Sequence, residues 1–158
     1  MFNIGDKVVY PMHGAGIIEA IEEKEILGEK QKYYVMRMHF KNMKVMIPIK
    51  SVKAIGVRQV VSDEEIEQVL KILRGEKSKM PANWNHRYRA NMEKIKSGNI
   101  FQVAEVVRNL GLRDKEKGLS TGERRMFENA KQILASEIAL SKNIDEMSAH
   151  RLIERALQ

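Results

Sequence analysis

The side chains best equipped for chemistry stand together in Pro81-Ala82-Asn83-Trp84-Asn85-His86-Arg87-Tyr88-Arg89, which holds the chain's one Trp, a Tyr four residues later, and cations around both. Residues 71–96 carry 8 basic and 2 acidic side chains, so this stretch alone accounts for +6 of a net charge of +7. Such a segment suits a polyanion, because Lys and Arg on phosphates release condensed counterions. On a helix of about 100° per residue, Trp84, Tyr88, Met92 and Ile95 share one stripe, which argues for an inward-packed Trp. Two features argue for a ligand-facing one. Trp84 falls in a first helical turn, where a ring can overhang the end of a bundle. The free N–H groups of that turn also form an anion site, which Arg87, Arg89 and His86 would reinforce. A flat ring beside such cations suits a surface that holds a nucleic-acid backbone and touches a base step.

Patterns for catalysis are thin elsewhere. The chain has no phosphate-binding glycine loop, no dinucleotide fingerprint and no nucleophile elbow. Its histidines, His13, His39, His86 and His150, lack ligand spacing, and Cys is absent, which excludes disulfides and thiolate metal sites. His13, between Pro11 and Gly14, reads as a turn residue. The expectation is a binding protein with no catalytic residue, metal, cofactor or small-molecule substrate. The first residues lack the pattern of a signal peptide, and no stretch approaches the roughly 18 apolar residues of a membrane span, so a cytoplasmic protein with no membrane partner is expected.

The elements that must position the basic segment fall into two kinds, giving an α+β chain. Residues 1–60 read as five short strands at about 7–10, 17–24, 33–40, 44–47 and 52–57. In the third of these, Tyr34, Met36, Met38 and Phe40 share a buried face. With no helical period between them, they suggest a small antiparallel β-barrel. Residues 61–158 read as an all-α domain of about five helices. Ser62 caps the first, whose stripe is Ile66, Val69, Leu70 and Leu73, and which ends near Gly75. Pro81 is placed to start the second. Asn99 caps the third, with Gly111 just past its end. Ser120 and Glu123 have capping-box spacing for the fourth, and a fifth spans 144–157.

These residues match a known pattern. Gly5-Asp6-Lys7-Val8-Val9-Tyr10-Pro11 with His13-Gly14, the hairpin around Gly28, Ile47-Pro48, and Ile55-Gly56-Val57-Arg58 stand in the first half. Asn83-Trp84, Arg87-Tyr88, Asn91, Lys94-Ile95, Ser97-Gly98, residues 104–110, residues 116–120 and Glu123-Arg124 stand in the second. Over nearly its whole length the chain resembles the bacterial CarD/CdnL transcription regulators. Its first half alone is also similar to the polymerase-interaction module of transcription-repair coupling factors. The resemblance implies a Tudor-like (SH3-like) barrel that grips the RNA polymerase β subunit, partly by edge-strand pairing, and a helical domain that touches promoter DNA. It further implies that Trp84 wedges into the minor groove at the upstream edge of the open promoter complex, that Arg87, Arg89 and His86 lie in the phosphate-contacting region, and that Lys24 and Ile26 meet polymerase. Met46 stands where some members carry a basic residue, which implies a more apolar or a weaker polymerase contact. A different reading of small barrel plus basic helices is a single-stranded nucleic-acid or RNA-binding adaptor that does not act through polymerase.

Overall fold

A computed structural model describes residues Met1–Gln158. Strands β1 (Lys7–Tyr10), β2 (Gly14–Ile26), β3 (Glu29–Met38), β4 (Lys44–Pro48) and β5 (Arg58–Gln59) form one antiparallel sheet in the order β4-β3-β2-β1-β5. Leu27 and Gly28, both at positive φ, make the two-residue β2–β3 turn whose twist matches its strands. A register shift between Ile18 and Ala20 divides β2. Before it Ile18 is buried with Val8, Tyr34, Met36, Met38, Ile47 and Val57, while every residue of 21–30 is exposed, so the hairpin leaves the core as a two-stranded arm.

The fifth strand lies later than the sequence suggests. Residues 52–57 do not extend; Ile49–Ser51 form a 3₁₀ turn and Val52–Ile55 a short helix, α1. Val52 and Ile55, one turn apart, both pack on the small sheet core, and Gly56 at φ 90° ends the helix in the left-handed conformation. Only then does Arg58–Gln59 pair with β1.

Five longer helices follow: α2 (Asp63–Leu73), α3 (Trp84–Lys96), α4 (Ile100–Lys117), α5 (Thr121–Lys142) and α6 (Glu146–Leu157). All four stripe residues of α2 are buried, and its start is a reciprocal capping box of Ser62 and Glu65. Helix α3 begins at Trp84 rather than near Pro81, because the Asn83 side chain accepts from the His86 N–H and so fixes the cap there. Helix α4 runs six residues past Gly111 and stops at Gly118. Gly111 serves close packing instead: a Cβ there would stand 3.5 Å from the Phe127 ring. None of the helices is long and apolar enough to cross a membrane.

Helix α5 is shared by both halves. One side joins the helical core through Phe127, Ala130, Leu134 and Ile138. Near its C-terminal end Leu140 packs on Val9 of β1 and Ala15 of β2. Ser136 Oγ accepts from the Ala15 N–H at 2.9 Å, and Lys7 Nζ donates to the Leu140 carbonyl at 2.8 Å, a cation on the negative end of the helix. Arg58 grips Glu137 with two hydrogen bonds of 2.7 and 2.8 Å. Glu137 also accepts from the Val61 N–H at 2.9 Å, while Arg58 Nε donates to the Gly98 carbonyl at 2.9 Å. The junction of the two halves is therefore a built contact.

Candidate nucleic-acid interface

Trp84 opens α3 and is neither a core residue nor a free one: 39 % of it is exposed. Its ring stacks on Tyr88, one turn along, with centroids 5.0 Å apart and planes 19° from parallel. Its Nε1 donates to Ser120 Oγ at 2.9 Å, at the start of α5. His86 and Arg89 on the same helix and Arg124 and Arg125 in the first turns of α5 are exposed. His86 and Arg89 form no ion pair, whereas Arg124 is paired with Asp114.

Arg87 stands apart from the surface role that the sequence suggests. It is 3 % exposed, and its Nε and Nη2 donate to Glu123 at 2.6 and 3.1 Å. Nη1 donates to the carbonyls of Ala82 at 2.9 Å and Pro81 at 3.3 Å. The hydrogen bonds to Glu123 hold its guanidinium above its already high ordinary pKa. Its charge is met by Glu123 and four of its five N–H donors are bonded inside the protein, so Arg87 is a buried framework residue rather than an exposed cation. The inward face of α3 accordingly runs through Arg87, Asn91 and Ile95, while Tyr88 and Met92 of the stripe drawn through Trp84 pack partly against the same core.

Glu123 itself departs from the expected capping box. The Ser120 hydroxyl caps α5 by accepting from the Glu123 N–H at 3.3 Å, but the Glu123 carboxylate turns to Arg87 instead of back to the Ser120 backbone. Upstream, α4 pins the segment leading to α3. Asn109 Oδ1 accepts from the Ser78 N–H at 3.0 Å, and Arg108 reaches the Ser78 hydroxyl. Sequence reasoning missed this buried polar framework of Arg87, Arg108, Asn109 and Glu123. Its one sequence signal is charged or amide side chains interrupting otherwise apolar helical faces.

The polymerase candidates lie on the sheet. Lys24 and Ile26 are exposed on the β2–β3 arm, beside exposed Ile21 and Leu27. Met46 is half-buried on β4, which pairs only with β3 and leaves its other edge open. The three do not cluster in register, since Lys24 stands opposite Gln31 and Met46 opposite Val35. Beside Met46, the hydrogen bonds from Lys44 and Arg37 hold the Glu19 carboxyl below its ordinary range and tie β2, β3 and β4 together.

Known proteins are similar to both halves of this chain in sequence. Residues 2–61 match the family model described as the CarD-like/TRCF RID domain, and residues 68–154 match CarD, C-terminal domain. A protein of Bacillus subtilis (strain 168), described as "Putative transcription factor YdeB", is 48% identical over 146 residues, which is 92% of this chain and 95% of that one. Among solved structures, the 72-residue N-terminal domain of Myxococcus xanthus CarD is 41% identical, with 37% of this chain and 79% of that chain covered and a TM-score of 0.33. CdnLNt of the same organism is also 41% identical, with 40% and 89% covered and a TM-score of 0.35. Both halves match in order, and the full-length relative covers nearly all of the chain. The chain belongs to the CarD-like family of transcription factors.

Proposed function

We propose that this chain regulates transcription initiation from two surfaces: residues 1–60 hold it on the β subunit of RNA polymerase, and residues 61–158 stabilise the open promoter complex. In this reading Trp84 wedges into the minor groove at the upstream edge of the bubble, and Arg89 and His86 hold the neighbouring phosphates. The carrying observation is Trp84 itself, a partly exposed ring held by a stack and a hydrogen bond at a helix start, with the exposed, unpaired Arg89 on the same helix. A ring that must separate bases benefits from being oriented before it binds.

The charge supports a division of labour. A few phosphate contacts give weak, sequence-independent affinity at physiological salt, so attachment to polymerase supplies the local concentration that the basic segment lacks. On the sheet, the open edge of β4 suits strand addition, with Lys24 and Ile26 on the arm and Met46 on the edge strand as side-chain contacts. The proposal requires no metal, cofactor or small-molecule substrate.

The test is the open-complex lifetime with Trp84→Ala. The variant is expected to fold and to co-elute with the β subunit while the lifetime falls; an unchanged lifetime would sink the reading. Lys24→Glu serves as the complementary control, expected to lose polymerase association and keep its affinity for free DNA.

A further inference from the structure

Apart from its own helix, the contacts that orient Trp84 come from the first turn of α5. Ser120 Oγ accepts from Trp84 Nε1 at 2.9 Å and from the Glu123 N–H at 3.3 Å, so one hydroxyl caps α5 and holds the indole with its two lone pairs. Two residues on, Gly122 passes under the ring. A Cβ there would stand 3.2 Å from Trp84 Cζ2 and 4.0 Å from Tyr88 Cε2. The backbone at Gly122 does not need glycine, because its φ is not in the left-handed region. Glycine is also a poor helix former, so clearance for the ring is the reason that remains for it. The third contact is indirect. Glu123, 2 % exposed, pairs with Arg87, which in turn holds the carbonyls of Pro81 and Ala82 just before Trp84.

We propose that Ser120, Gly122 and Glu123 form a seat on α5 that fixes the direction in which Trp84 is presented, with Glu123 acting through Arg87. They are positioning residues: Ser120 and Gly122 work on the indole directly, and Glu123 works on the backbone that carries it. The consequence for promoter DNA rests on the proposed function above, but the seat belongs to the free protein and can be read there.

Because Trp84 is the one Trp of the chain, its emission reports on the seat without interference. The experiment compares emission maximum and acrylamide quenching in the full chain for wild type, Ser120→Ala, Ser120→Thr, Gly122→Ala and Gly122→Val. Ser120→Ala and Gly122→Val are expected to shift emission to the red and speed quenching. Ser120→Thr, which keeps the hydroxyl, should restore the wild-type signal. Gly122→Ala keeps the experiment decisive if other variants unfold, because it favours the helix while crowding the ring. It should melt no lower than wild type and still change the emission. Open-complex lifetimes should shorten several-fold wherever the emission moves. Wild-type emission and quenching in folded Ser120→Ala and Gly122 variants would overturn the seat. So would a lifetime that falls in Trp84→Ala but holds in seat variants whose emission has moved. If emission moves and Trp84→Ala itself leaves the lifetime intact, the seat stands and the DNA wedge falls.

Discussion

Arg87 and Arg89 are two residues apart and do opposite work. Arg89 is exposed and unpaired, while Arg87 is sealed against Glu123. Arg87→Gln should therefore cost stability, about 3–5 kcal/mol by the usual cost of stranding one partner of a buried pair, as measured by urea unfolding. Arg89→Gln should leave the unfolding midpoint unchanged and flatten the salt dependence of DNA binding by about one unit. Equal stability loss in both variants would contradict this split. The division was not legible in the sequence, where a helical wheel assigns every cation to the outside. What turns Arg87 inward is a carboxylate 36 positions away, and no local pattern carries that pairing. Trp84 was legible as a first-turn aromatic among cations, but its intermediate exposure follows from Ser120 and Gly122, which become its neighbours only in the folded chain.

Among the elements, those governed by local rules could be read directly. Tyr34, Met36 and Met38 on one face of β3, the stripe of α2 and the caps at Ser62, Asn99 and Ser120 stand where the sequence puts them, whereas Phe40 lies past the end of β3 and packs on the helical core. Misreadings came where packing overrides local preference. Val52 and Ile55 suit a strand but fold as a turn of helix over the sheet core, and Gly111 resembles a terminator yet lies inside α4 because Phe127 crosses it. Helix α6 offers a test of capping by pH. The Ser148 N–H donates to Asp145 at 2.7 Å, and this bond holds the carboxyl below the ordinary aspartate range. A depressed carboxyl stabilises the fold above its unfolded pKa, and that contribution is lost as pH falls through the folded value. Protection from amide exchange in the first turn of α6, relative to the intrinsic rate at each pH, should therefore fall in acid, below about pH 4. Asp145→Asn should keep a cap without this acid dependence; an identical acid response would remove Asp145 as its cause.

At the scale of the whole molecule, the two halves meet through α5, and Glu137 is the centre of that meeting. It accepts from Arg58 and from the Val61 backbone while itself 2 % exposed. Glu137→Gln leaves one good acceptor for several donors, including a guanidinium. It should cost about 2 kcal/mol, less than a fully buried pair because the Arg58 side chain is 30% exposed. Calorimetry should show the same transition at lower temperature, or two transitions where the sheet and the helices part; an unshifted melt would deny the junction its energetic role. The bond from the Ala15 N–H to Ser136 has a further consequence, in time. Its two residues lie 121 positions apart, so the strip of Val9 and Ala15 must wait for its cover while the intervening chain is made. The sheet is complete once Gln59 is made, and Ser136 follows 77 residues later, so at about 5–20 residues per second one of its apolar faces is bare for roughly 4–15 s. The nascent chain spends that interval with its greatest exposure to aggregation and proteolysis, and synthesis of α5 ends it.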